Sequence, residues 1–228
     1  MANFSKNLST ESKEWINKQD WYQIIELSDG TITPGTFDTR KRFRFFKNID
    51  FTGKTVLDAG CNSGGYCLWS KKNGARRVVG IDINDKRLEQ AKSLSEIENL
   101  DIEFERTGID QIEKLGKFDI VFCIAVLTEV QDILGALGQL KKVIGHEAYI
   151  EMALAKPIGY LSRSKFWLKS LKNLGSRSVF ELRDTRVGYM LSPSLQALRN
   201  FFGPSFKIEV LGKSVRYDML RIEKLPGE

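Results

Sequence analysis

Residues 51–228 predict an α/β fold: a doubly wound, mostly parallel seven-stranded sheet that ends in an antiparallel hairpin. Three observations carry this expectation. Short β-rich runs alternate with longer helical patterns from Lys54 onward. Phe118–Ile124 is almost continuously apolar, as a strand covered on both faces must be. The last two runs, Phe206–Leu211 and Tyr217–Glu223, lie too close together for a helical crossover, so they pair antiparallel.

Taken in order, Thr55–Ala59 is a short apolar strand entering a glycine-containing loop. Arg77–Asp82 is the second strand, followed by a helix opening near Asn84. Asp101–Glu105 alternates, Phe118–Ile124 is the buried centre, and His146–Met152 reads as the fifth strand. Helical patterns of ten to fifteen residues separate these runs. Residues 1–50 form a distinct lead-in: a helical stretch carrying Trp15, Ile16, Trp21, Ile24 and Ile25 on one broad face, the turn at Ser28-Asp29-Gly30, a Pro34-Gly35 loop, and the basic aromatic segment Arg40–Lys47.

A chain of 228 residues with 42% hydrophobic and 28% charged residues has enough apolar material for one large core, which excludes disordered, collagenous and disulfide-scaffolded classes. The first residues carry no apolar leader and no run is long enough to span a membrane. Three cysteines give no disulfide framework, so the expected setting is reducing and cytoplasmic.

The chemistry concentrates at Val56-Leu57-Asp58-Ala59-Gly60-Cys61-Asn62-Ser63-Gly64. A buried strand delivers an acid and then two glycines into a tight turn, where backbone can approach a ligand and helix N-terminal amides stay free. The alternative is a turn that needs positive φ and nothing more. Asp82 ends the next strand, beside that turn in a doubly wound sheet, where its carboxylate can accept ribose hydroxyls; the alternative is an N-cap for the following helix. Asn62 stands where a dinucleotide fingerprint has its middle glycine, and Asp58 would repel a pyrophosphate. A cofactor with a cationic amino-acid tail suits the site better.

Residues 54–84, with Phe118–Leu127 downstream, resemble the class I S-adenosylmethionine-dependent methyltransferases, whose first motif reads V-L-D-x-G-x-G-x-G. The resemblance implies a Rossmann-like methyltransferase fold, S-adenosyl-L-methionine as cofactor, and methyl transfer. It implies cofactor contacts at Asp58, Gly60, Asn62, Gly64 and Asp82. Ile83, Ile109 and Ala125 are expected to join them. Upstream, Trp21–Leu27, Thr33-Pro34-Gly35 and Phe37-Asp38-x-Arg40 resemble the lead-in of the tRNA wobble-uridine 5-oxyacetate carboxymethyltransferase-like group. That branch reads V-L-Y-H-R after its fourth strand and uses the tyrosine and arginine for an extra cofactor carboxylate. Here the stretch is Val126-Leu127-Thr128-Glu129-Val130, an anion without the cation, so ordinary methyl transfer is expected.

A hydroxyl acceptor needs its proton removed. Glu129 is the candidate base, with a first-turn helix acid as the alternative. Tyr22 reaches either the ligands or the core. His146, the only histidine, is expected in a turn at the far end of the sheet. Cys61, Cys67 and Cys123 read as packing residues, with no metal set among them. A basic lid insertion is expected at 156–190: between Lys156 and Arg186 stand eight cations and two anions, the whole +6 excess of the chain. It reads as recognition of an anionic acceptor or as a lid helix with a solvated face. The acceptor reading is a small metabolite, sugar or glycan; tRNA and a non-catalytic cofactor-binding role remain as alternatives.

Overall fold

The computed structural model describes residues 7–155, 180–185, 188–215 and 217–227. The lead-in holds α1 (Thr10–Lys18), capped by Ser9, then two short parallel strands, β1 (Gln23–Ile24) and β2 (Phe37–Asp38), and a 3-10 helix at Thr39–Phe45. The expected helix therefore stops at Lys18. Trp21 leaves it, and its indole Nε1–H donates to the Ile16 carbonyl at 2.6 Å, which terminates the helix by folding the chain back.

The main sheet comprises β3 (Thr55–Ala59), β4 (Arg77–Asp82), β5 (Glu103–Arg106), β6 (Phe118–Ile124) and β7 (Ile144–Met152). A separate antiparallel ribbon, β8 (Phe180–Thr185) with β9 (Gly188–Pro193), precedes the closing pair β10 (Phe206–Lys213) and β11 (Asp218–Lys224). The order across the sheet is β10-β11-β7-β6-β3-β4-β5, parallel except for β11, which runs antiparallel to both its neighbours. Seven strands and a terminal hairpin match the expectation, and three of the strands match it residue for residue.

The helices are α2 (Gly65–Lys72), α3 (Asp85–Ile97), α4 (Ile133–Val143) and α5 (Leu195–Phe202). Between β5 and β6 the chain forms only a 3-10 helix, Ile109–Leu115, and not the longer helix expected there. His146 lies inside β7, not in a turn. It is exposed, next to the register shift that sets two residues of β6 against three of β7. It does sit at the end of the sheet away from the glycine loop.

One core layer packs Leu57, Val121, Leu137, Leu140 and Ile150 under α4. The other face carries Phe46, Phe51, Tyr66 and Phe122. The lead-in is fastened to the α2–α3 side by a third cluster, Ile16, Trp21, Ile25, Leu27, Leu68 and Leu94. The described part of the lead-in thus shares its apolar surface with the sheet, and burial of that surface holds it in place.

Candidate active site

Strand β3 is flanked by β4 on one side and β6 on the other, so the chain's direction of winding reverses there. That switch point opens a crevice at the carboxyl ends of the strands. The crevice is a cavity of about 580 Å³, in the range of small-ligand sites.

The glycine loop forms one wall. Gly60 takes φ +78° and Gly64 φ +82°, left-handed values that favour glycine. A Cβ on Gly60 would also collide with the Val126 side chain. Asn62 adopts φ +51°, a conformation asparagine tolerates better than most residues, so the turn survives without the middle glycine. The N–H groups of Gly60 and Cys61 both donate to the Ile81 carbonyl at 2.8 Å, which pins the loop to β4.

Asp82 is the hinge of this wall. Its Oδ2 accepts from the Asn62 N–H and its Oδ1 from the Asn84 N–H, each at 2.9 Å. It is not the helix cap: Asn84 caps α3 by accepting from the Arg87 N–H. A carboxylate offers about four lone-pair sites, so both oxygens keep capacity for a ligand's hydroxyls. Ile83 beside it is 70% exposed, an apolar face presented to the cavity.

The lead-in builds the opposite wall. Gln23 is buried, and its Oε1 accepts from the Gly65 N–H at 3.2 Å, capping α2 from 42 residues away. Tyr22 stacks on Phe37 with centroids 5.5 Å apart and is 42% exposed, which removes core packing as its role. Behind Phe37 the Arg42 guanidinium lies 4.2 Å from the ring and forms a buried ion pair with Glu151 of β7, Nη2 to Oε2 at 2.6 Å. Ala125, at φ +60°, turns the chain out of β6 toward Glu129. Glu129 is exposed on the cavity rim, and its carboxylate has no partner among the described residues. It is not a first-turn helix acid, because α4 begins at Ile133 with Asp132 as its cap.

Of the expected site residues, Tyr22, Gly60, Asn62, Asp82, Ile83, Ile109, Ala125 and Glu129 line one cavity. Asp58 and Gly64 lie behind its wall. Gly64 caps α2 instead. Asp58 is fully buried, accepting at 3.4 Å from the Cys67 thiol, so direct contact with a cationic tail does not follow from its placement. Burial raises its carboxyl to about 7; the Cys67 thiol opposes the rise and the charge of Asp82 adds to it. Cys61, Cys67 and Cys123 are free and buried, and burial pushes all three thiols up, away from reactivity. Among the described residues no group of three or more His, Cys, Asp or Glu could hold a metal, and no helix is long and apolar enough to cross a membrane.

The three guanidinium groups of the basic aromatic segment are engaged within the fold, whereas Lys41 and Lys47 are exposed. Arg40 pairs with Asp38 and Glu26, Arg42 with Glu151, and Arg44 donates to the Lys213 carbonyl. The lid expected at 156–190 lies outside the described residues up to 179, as do 186 and 187; within it, 180–185 and 188–190 belong to the β8–β9 ribbon and not to a helix. Sequence reasoning missed Gln23, Phe37, Arg87 and Thr107 on the cavity wall. Gln23 and Phe37 left a signal, because both lie in the stretches that carry the lead-in resemblance.

Comparison with known proteins places these features in context. The sequence pattern of the family described as "Methyltransferase domain" matches residues 50–173. A tRNA U34 carboxymethyltransferase of Campylobacter hominis is 26% identical over 187 residues, covering 73% of this chain and 64% of the relative. A protein of the same name from Colwellia psychrerythraea is 38% identical over 151 residues, covering 64% and 45%. The chain therefore spans about half to two thirds of the length of these curated relatives. Among solved structures, the N-terminal domain of EvdMO1, crystallised in the presence of SAH and D-fucose, superposes with a TM-score of 0.66 at 16% identity and covers 95% of each chain.

Proposed function

Since this chain belongs to the methyltransferase-domain family, as a class I S-adenosylmethionine-dependent member, we propose that it binds S-adenosylmethionine across the glycine-loop wall and methylates an oxygen of a small metabolite, sugar or glycan. The carrying observation is the meeting of two walls in one cavity. Asp82, with lone pairs to spare, and exposed apolar Ile83 suit an adenosine; Tyr22 and Glu129 face the same space from the acceptor side.

When bound, the cofactor supplies a methyl group activated by a sulfonium. The protein's task is then alignment, which can contribute several kcal/mol to such a displacement. Gly60 and Asn62 shape the loop so that a ligand lies against backbone. Gln23 fixes the start of α2, and Tyr22 on Phe37 offers a flat surface on the facing side. Glu129 is the group on the rim with capacity to take the hydroxyl proton of an acceptor.

Plain methyl transfer is favoured over carboxymethyl transfer by the same rim. Val130 stands where the resembling branch has its arginine and Thr128 where it has its tyrosine, while the exposed, unpaired Glu129 carboxylate replaces the histidine and opposes an additional cofactor carboxylate. Calorimetry of the whole chain with S-adenosylmethionine and with its carboxylated analogue tests this. We expect tighter binding of the uncarboxylated cofactor; the reverse order overturns the reading.

The second reading, a tRNA acceptor, is favoured by the names of the curated relatives. Against it, the cations of Arg40, Arg42 and Arg44 are engaged within the fold.

A further inference from the structure

Three buried polar atoms stand unpartnered behind the acceptor wall: Arg42 Nη1, Tyr66 Oη and Glu151 Oε1. Each belongs to a side chain at most 3% exposed. Buried polar groups are nearly always satisfied, so three orphans in one place require an explanation. They form one cluster. Arg42 binds Glu151 through Nε at 2.9 Å and Nη2 at 2.6 Å, both to Oε2, which leaves Nη1 and Oε1 unused. The Tyr66 hydroxyl lies beside the Arg42 guanidinium in a contact that falls short of hydrogen-bond geometry; burial raises its pKa well above the ordinary phenol value, Arg42 opposes that rise and Glu151 adds to it.

The cluster backs directly onto the cavity. Tyr66 and Phe37 are wall residues, Arg42 lies over Phe37, and Ile124, the register partner of Glu151, is a third wall residue. Resting on the reading of this cavity as a methyl-transfer site, we propose that Arg42, Tyr66 and Glu151 form a subsite that recognises the hydroxyl groups of a neutral polyol acceptor.

The chemistry of the orphans selects that class. Nη1 can only donate, Oε1 can only accept, and Oη can do either. A hydroxyl both donates and accepts, so one or two adjacent hydroxyls satisfy the set. A phosphate does not: it has no proton for Oε1 at neutral pH, and it meets the Glu151 carboxylate while the Arg42 charge is already matched. A simple basic pocket for phosphate would omit Glu151. All three atoms are closed off from bulk solvent, so a hydroxyl reaches them by displacing wall contact. Tyr22 stacks on Phe37 at that wall and is 42% exposed, with its own hydroxyl unbonded among the described residues.

The test uses the whole chain saturated with S-adenosylhomocysteine and saturation-transfer NMR. The probes are D-glucose, D-galactose, myo-inositol and D-glucose 6-phosphate. Tyr66→Phe is the variant, because it keeps the ring that packs on Phe43, Phe46 and Phe122 and removes only the hydroxyl. We expect at least one neutral polyol to bind in the millimolar range, the phosphate ester to bind more weakly, and the variant to lose about tenfold in polyol affinity with S-adenosylhomocysteine affinity unchanged. Preference for the phosphate ester, absence of any polyol binding, or an unaltered polyol affinity in Tyr66→Phe overturns the subsite; the last result leaves the cluster as a lodging for structural water. Failure of S-adenosylhomocysteine itself to bind overturns the methyl-transfer reading and the subsite with it.

Discussion

On the glycine-loop wall of the cavity the backbone does the holding: Gly60, Cys61 and Asn62 hang from Ile81 and Asp82 by N–H donors, and one short stretch of sequence contains the parts. On the facing wall the holding is done by side chains drawn from distant places, Gln23 on the start of α2 and Arg42 on Glu151, 109 positions away. The first wall is generic to any ligand with a ribose, because main-chain geometry carries it. The second is assembled from the lead-in and β7, and its ion pair is costly unless a function retains it. Charges removed from water are compensated only when their hydrogen bonds are complete, and here they are not.

The contrast can be broken most forcefully at the ion pair. Arg42→Met leaves Glu151 buried and unpaired, and we expect a loss of about 3–5 kcal/mol in denaturant unfolding. Arg42→Met with Glu151→Leu should recover most of that loss. A single variant as stable as the parent would show that the pair is not buried as described.

Next in size is Asp82→Ala on the other wall. Losing two charge-assisted hydrogen bonds of about 1.5 kcal/mol each predicts about a hundredfold weaker S-adenosylmethionine binding by calorimetry. Smaller again is Gly60→Ala. Left-handed strain of about 1–2 kcal/mol, with displacement of Val126, predicts a lower melting temperature and about tenfold weaker cofactor binding.

Separate from these substitutions is the pH response of Asp58. Its carboxyl is raised from 3.8 to about 7 on folding, so the folded chain holds its proton more tightly than the unfolded one. Its contribution to stability is full below about pH 4 and is lost as pH rises through 7. Relative to Asp58→Asn, the parent should lose a few degrees of melting temperature between pH 5 and pH 8, at about 2–4 °C per kcal/mol. A flat difference between the two would place Asp58 outside the buried carboxylates.

The same contrast explains what the sequence disclosed. Strands β3, β4 and β6 were legible because each is a contiguous apolar run, and the loop because its residues are neighbours. Asp82 was legible because a doubly wound fold brings the end of the second strand to the first loop. The Arg42–Glu151 pair left no local sign: an arginine in a basic run and a glutamate in a strand look like solvated charges until the fold brings them together. The helix expected through Trp21 failed because its apolar spacing also suits an extended segment laid on α2 and α3. Glu129 was placed on the correct loop, and the helix that its alternative reading required starts four residues later.

The central claim is that this cavity joins a cofactor wall to a small-acceptor wall. Supplying methyl-labelled S-adenosylmethionine and the purified chain to a cell extract, then fractionating the label, tests it most directly. The account predicts label in small, ribonuclease-resistant hydroxylated molecules or glycans. Label confined to a ribonuclease-sensitive polymer would contradict it and establish the tRNA reading instead.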